Sequence, residues 1–249
     1  MAGFETVIYE KKDGIGYVTL NRPKALNSYN LQMRDDLYEV LRAIQDDEEV
    51  RVVIFKGSGD KAFCAGADLS EFLTAPSPVM ARQIRFERDI WGLFLEIPQP
   101  LIAAVNGYVL GSGIEISLCC DIRIASPDTR FGLPEVGLGI IPAAGGTQTL
   151  PRTIGKAKAL EWLLTGRWVD AEEALVLQLV NRVVPKDELI GEAEEMAKKI
   201  ASYNQTAVRY IKQAVIRGLD LPLADGMNLE KSLSDRLKLS KGIKENNTI

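Results

Sequence analysis

Residues 106–117 read Asn106-Gly107-Tyr108-Val109-Leu110-Gly111-Ser112-Gly113-Ile114-Glu115-Ile116-Ser117. The apolar run Leu101 to Val105 leads into this stretch and predicts a buried strand. Gly107, Gly111 and Gly113 then let the backbone turn sharply and come close to a ligand. The apolar-rich segment Ile114 to Cys120 predicts a helix. A strand, a glycine-rich turn and a helix start, in that order, aim backbone N–H groups at whatever lies over the turn. An anion or oxyanion suits them. Glu115 falls in the first helical turn between two isoleucines, where burial would perturb its ionisation.

Upstream, residues 4–10 and 15–20 flank Asp13-Gly14 as a hairpin, and Asn21-Arg22-Pro23 ends its second strand. Asn30 to Ile44 predicts a helix capped by Asn30, with Met33, Leu37, Leu41 and Ile44 on one face. Val52 to Phe55 reads as a short buried strand ending at Gly57-Ser58-Gly59. Ala62 to Leu69 is dominated by small residues, a second place where backbone can meet a ligand, and Asp68 is placed to open a helix. Thr74 to Pro78 predicts an exposed loop, and Val79 to Glu96 a long helix carrying Phe86, Trp91 and Phe94.

Downstream, Asp121 to Ala125 and Thr129 to Gly132 read as strands, and Leu133-Pro134-Glu135 starts a turn or helix. Residues 137–147 are glycine-rich and contain Pro142, residues 155–178 read as helical, and Leu179 to Val184 as a last strand. From Pro185 the pattern is helical, with faces Leu189/Ala193/Met196/Ile200, Val208/Ile211/Val215 and Leu229/Leu233/Leu237. The composition shift near residue 186 divides the chain into a core, 1–185, and a helical region, 186–249. The loose strand–strand–helix recurrence predicts a stacked, coiled α/β core.

The 249 residues are 46% hydrophobic and 26% charged, ordinary for a globular chain long enough to bury a large core. No apolar run approaches the ~20 residues of a membrane span, and no basic-then-apolar start predicts a signal peptide. A net charge of −4 argues against nucleic acid as the main partner. Three cysteines, two of them adjacent, make no disulfide framework and point to a reducing cytoplasm. Histidine is absent, which excludes a Ser-His-Asp triad and a histidine-bearing zinc site. No metal spacing is present. Proton chemistry would have to come from Glu, Asp, Lys, Tyr or Cys.

Glu115 and Glu135, each beside a Gly or Pro turn, are the candidate acids. The bland reading is that such a glutamate only serves the helix dipole and faces solvent. Asp68 and Asp121 read as a helix cap and a strand residue, and the cysteines as core packing. Gly145-Gly146-Thr147 lacks a following lysine and is no phosphate loop.

Six stretches in order carry a resemblance: Leu20 to Asn27, Phe63 to Leu69, Asn106 to Glu115, Cys120 to Ala125, Phe131 to Glu135 and Ile141 to Gln148. Over nearly its whole length the chain resembles the crotonase superfamily of enoyl-CoA hydratases and isomerases. The resemblance implies a spiral of ββα turns followed by a C-terminal helical region that builds trimers or dimers of trimers. It implies an acyl-CoA substrate, with coenzyme A belonging to that substrate and no separate cofactor. Two backbone N–H groups, of Ala67 and Ser112, would form an oxyanion hole for the thioester enolate. Glu115 and Glu135 would hold a water between them, as in hydratases. Coenzyme A would lie across Lys24-Ala25-Leu26 and Ala65-Gly66-Ala67-Asp68-Leu69-Ser70, with Gly111 and Ser112 at the thioester. Trp91, Phe94, Leu95 and Pro134 are the candidates for the acyl pocket. Two departures stand out: the family often has glycine where Ser112 stands, and its hydratases often have lysine where Ser70 stands. The first reading is therefore a 2-enoyl-CoA hydratase. The alternatives are an isomerase that moves the double bond with Glu135 alone, and a non-catalytic relative that binds acyl-CoA or RNA.

Overall fold

The computed structural model describes residues 4–72 and 88–240. The Thr74–Pro78 loop and the 79–87 part of the long helix, with Phe86, lie outside the described residues.

Two sheets share the chain. The larger has the order β1 (Val7–Lys12), β2 (Ile15–Leu20), β3 (Val52–Gly57), β5 (Leu101–Val105), β7 (Ile122–Ala125) and β10 (Arg182–Val183). The smaller has β4 (Ala62–Cys64), β6 (Tyr108–Leu110), β8 (Arg130–Gly132) and β9 (Trp168–Asp170). β3, β5 and β7 run parallel as neighbours, and each is followed by its counterpart β4, β6 or β8 in the small sheet, also parallel. One turn of chain thus adds one strand to each sheet, and the turns stack as a spiral. Every residue of β5 is buried because helices cover both faces of a parallel sheet, hence its unbroken apolar run.

Only the first hairpin is antiparallel in the large sheet, with Val7 opposite Leu20 and Lys12 opposite Ile15. Asp13 (φ 53°) and Gly14 (φ 76°) both adopt the left-handed region, as the two central residues of a type I′ turn must. Helix α1 (Leu31–Asp46) starts where Asn30 Oδ1 accepts the Met33 N–H at 3.0 Å. Its face of Met33, Leu37, Leu41 and Ile44 is fully buried in the main core. The opposite face of the large sheet presents Ile15, Val52, Ile54 and Ile102 to helix α8 (Leu189–Ala201), which meets them with Leu189, Ala193, Ala197 and Ala201. The first helix of the 186–249 region is therefore part of the sheet's packing.

The remaining helices are α2 (Leu69–Phe72), α3 (Ile90–Glu96), α4 (Ser112–Cys119), α5 (Gly146–Ile154), α6 (Lys156–Thr165), α7 (Ala171–Val176), α9 (Gln205–Gly218) and α10 (Leu223–Ser240). Several sequence expectations need correction. α3 begins only at Ile90, because Asp89 accepts the Gly92 N–H at 3.0 Å and caps it there. The 155–178 helical pattern is broken by β9, since α6 ends at left-handed Gly166 and Phe131 then pairs with Val169. The expected Leu179–Val184 strand shrinks to Arg182–Val183, because Leu179 and Val180 fold back to the Ala174 carbonyl. The strands β4, β6 and β9 are three residues each, too short to show a period.

α9 is fastened to the sheet ends: Lys212 Nζ lies 2.8 Å from Asp121 Oδ2 and donates to the Gln99 carbonyl at 2.9 Å. Beyond it, Ile211, Val215, Leu219, Leu223 and Met227 are exposed. Among the described residues no helix is long and apolar enough to cross a membrane.

Candidate active site

All eight residues of α4 are buried. Ser112 is its first residue, so the Ser112 N–H has no acceptor within the helix. A β-carbon on Gly113 would sit 2.1 Å from the Cys64 carbonyl oxygen, so only glycine lets α4 reach β4. On the other side of the site, the Tyr29 N–H donates to the Gly66 carbonyl at 2.8 Å and the Asp68 N–H donates to the Tyr29 carbonyl at 2.7 Å. This parallel bridge engages Gly66 and Asp68, leaving the Ala67 N–H to face away from Tyr29. The two turns abut: a β-carbon on Gly66 would be 3.2 Å from the Leu110 carbonyl oxygen, and one on Gly111 3.5 Å from the Gly66 Cα.

The two acids are close enough for the charge of Glu115 to act on Glu135. Glu115 is 2% exposed, and its Oε1 accepts the Ala144 N–H at 2.8 Å and the Gly146 N–H at 2.9 Å. Gly145, at φ 103°, turns the backbone so that both N–H groups face the carboxylate as α5 begins. Glu135 sits in a 3-10 turn, Pro134–Leu138, and a β-carbon on Gly111 would be 3.0 Å from its Oε1. Its Oε2 is buried and without a hydrogen-bond partner among the described residues. Burial pushes the Glu135 carboxyl above the usual carboxylate range, against a local backbone hydrogen bond, and the charge of Glu115 pushes in the same direction. Glu135 therefore holds a proton more readily than an ordinary glutamate, beside the turn that carries Ser112.

Lys24, Ala25 and Leu26 lie on a 3-10 turn that docks on the Ala65 segment, where the Ala65 N–H donates to the Leu26 carbonyl at 3.0 Å. Arg22 braces the junction, donating to the Ser28 carbonyl at 2.6 Å and pairing with Asp68 Oδ2 at 2.9 Å. Asp68 Oδ1 accepts the Ser70 hydroxyl at 2.6 Å. The Ser70 hydroxyl, then Arg22, holds the Asp68 carboxyl below the usual range. Leu69 and Lys24 remain exposed at this rim.

The acyl-pocket candidates separate. Phe94 is fully buried, 5.3 Å from Phe55 between ring centres, and belongs to the core. Trp91 is half-buried between Tyr29 and Phe94, at 5.7 and 6.4 Å. Pro134 is half-buried beside Glu135, and Leu95 is 50% exposed. Sequence reasoning missed the amides of Ala144 and Gly146, and the nearness of Tyr29, whose phenol is raised chiefly by burial with the Glu115 charge adding least. The Gly145-Gly146 pair was the available signal for the amides. Among the described residues no group of three or more His, Cys, Asp or Glu could hold a metal ion.

The enoyl-CoA hydratase/isomerase family model matches residues 10–248. The short-chain-enoyl-CoA hydratase of Clostridium acetobutylicum is 44% identical over 225 residues, covering 90% of this chain and 86% of that protein. The crotonyl-CoA hydratase of Syntrophomonas wolfei is 40% identical over 228 residues, covering 91% and 87%. The crystal structure of an enoyl-CoA hydratase from Bacillus anthracis superposes with a TM-score of 0.89 at 39% identity, covering 98% of each chain. The spiral α/β fold is the crotonase fold. This chain belongs to the enoyl-CoA hydratase/isomerase family.

Proposed function

We propose that this protein is a 2-enoyl-CoA hydratase, adding water reversibly across the 2,3 double bond of an enoyl thioester. The observation that supports this reading is that Glu135, against Gly111, feels the charge of Glu115, the buried acid held by the Ala144 and Gly146 amides. The Ala67 and Ser112 N–H groups stabilise negative charge on the thioester oxygen. One such donor is worth ~3 kcal/mol in comparable sites. Glu115, held by two amides, takes a proton from the water as its oxygen bonds to Cβ. Glu135 delivers a proton to Cα, a role its raised affinity for a proton suits. Acid–base help of this kind contributes ~10²–10⁴-fold.

Coenzyme A lies across the Lys24–Leu26 turn and the Ala65–Ser70 segment, with the exposed rim at Lys24 and Leu69 leading inward. Trp91 and Pro134 border the acyl chain. The names of the two hydratase relatives make a short 2-enoyl chain the first substrate to test. The experiment is loss of enoyl-thioester absorbance with crotonyl-CoA. Hydration removes the conjugation; binding alone leaves it.

The exposed apolar residues of α9 and α10 support a trimer-based assembly in which the 186–249 region joins subunits. Three buried, unpaired cysteines accord with a reducing cytoplasm.

A further inference from the structure

On the α8 side of the large sheet, away from the face on which α4 packs, lies a second cleft of about 370 Å³. Its floor follows from strand register. Ile8 pairs with Thr19, Thr19 with Lys56, and Lys56 with Ala104, so these side chains stand in one row on one face. The row lies beyond the start of α8, where Leu189 and Ile190 form one wall and the Gly57–Asp60 loop the other.

Three polar groups in this cleft make no hydrogen bond or ion pair among the described residues: the Lys56 ammonium, the Thr19 hydroxyl and the Asn106 side-chain amide. Thr19 and Asn106 are each only 7% exposed. Their polar atoms open onto the cleft and are free to meet a ligand there. Lys186, by contrast, is already committed at the rim, donating to the Asp60 carbonyl at 2.7 Å and to Asp128 Oδ2 at 2.9 Å.

We propose that the Lys56–Thr19–Asn106 cleft binds the phosphate group of a small organic phosphate monoester. An ammonium, a hydroxyl and an amide NH₂ are donors that a tetrahedral oxyanion can meet together, and the charge-assisted bond to lysine anchors it. The cleft is larger than a phosphate alone needs. Glu10 and Asp60, both exposed, stand at its mouth. They disfavour a bare dianion and accept hydrogen bonds from hydroxyls on the ester's organic part. The cleft does not depend on the hydratase chemistry, and Asn106 lies two residues before the strand β6 that leads to Ser112.

The test is isothermal titration calorimetry on the full chain at matched ionic strength, with glycerol 3-phosphate and acetate as probes. Saturating dephospho-coenzyme A, which lacks the 3′-phosphate monoester of coenzyme A, is included to occupy the acyl-CoA site. Glycerol 3-phosphate is expected to bind one site per chain in its presence. Lys56→Met and Thr19→Val are each expected to weaken it by at least about tenfold, the scale of one lost hydrogen bond to a charged group. Dephospho-coenzyme A affinity should be unchanged in both variants. Absence of binding, displacement by dephospho-coenzyme A, equal binding of acetate, or undiminished binding in the folded Thr19→Val variant would each overturn the proposal.

Discussion

Glu115 and Gly146 are in direct register: Glu115 Oε1 accepts the Gly146 N–H at 2.9 Å, and a β-carbon on Gly146 would come within 3.0 Å of that same oxygen. The same β-carbon would meet the Pro142 Cβ at 2.9 Å, so the methyl of an alanine cannot be absorbed on that side either. Gly146→Ala should therefore shift the carboxylate. Small misplacements of a catalytic group can cost about a hundredfold in rate. Turnover with crotonyl-CoA is expected to fall by about that much with KM little changed. A Gly146→Ala enzyme as fast as the parent would show that the clamp on Glu115 is dispensable.

Replacing either acid by glutamine keeps size and hydrogen bonding but removes the proton chemistry. Glu115→Gln and Glu135→Gln should each lower kcat at least about a hundredfold. The double variant should be barely slower than the worse single one, because both acids act on one water. An isomerase would behave differently: only Glu135→Gln would be severe, and Glu115→Gln would still convert 3-enoyl to 2-enoyl thioesters. Assaying hydration and double-bond migration on all three variants separates the two activities.

Glu135 also carries a stability signature. Burial raises its carboxyl in the folded protein above the unfolded value. Between those two values the folded state binds more protons than the unfolded one, so this group's contribution to stability falls as pH rises through that window. Glu135→Gln removes the buried charge. It should melt at a higher temperature than the parent at neutral pH, and the gain should vanish below the ordinary carboxylate range. Thermal melts across pH check this; a destabilised variant at neutral pH would contradict the buried-charge account.

If only the Ser112 N–H serves the thioester oxygen, Ser112→Gly and Ser112→Ala should retain activity within about tenfold, that is ~1.4 kcal/mol. Ser112→Pro deletes the donor at the first helical position, where the ring itself is well tolerated. It should fold and be inactive. A folded, active proline variant would remove Ser112 from the oxyanion hole.

The tail predicts assembly. Leu219 and Leu223 are each 81% exposed, Ile211 66% and Met227 63%, with no further layer over these side chains among the described residues. Light scattering at micromolar concentration should give a multiple of three chains. A monomer mass would sink the trimer-based reading.

What the sequence determined alone is what local chemistry decides. Asn30 stops and starts backbone within a single turn, so α1 and its buried face follow from the capping residue and the 3.6-residue period. The Leu101–Val105 run and the Asp13-Gly14 turn are equally local. The glycine spacing around Ser112 and the six ordered motifs, with Glu115 and Glu135 among them, were also legible, because family likeness is written residue by residue. The tertiary structure decided the rest. Strands of three residues acquire their state from a partner strand, as Phe131 does for Val169, and carry no period of their own. The amides that hold Glu115 come from positions 29 and 31 residues downstream, on a loop whose approach depends on the packing of α5 against α4. Phe94 and Trp91 read alike in sequence, yet one is in the core and the other beside Tyr29, because a side chain's surroundings are set by which helix face the sheet covers. The raised proton affinity of Glu135 arises in the same way, from burial that only the folded spiral creates.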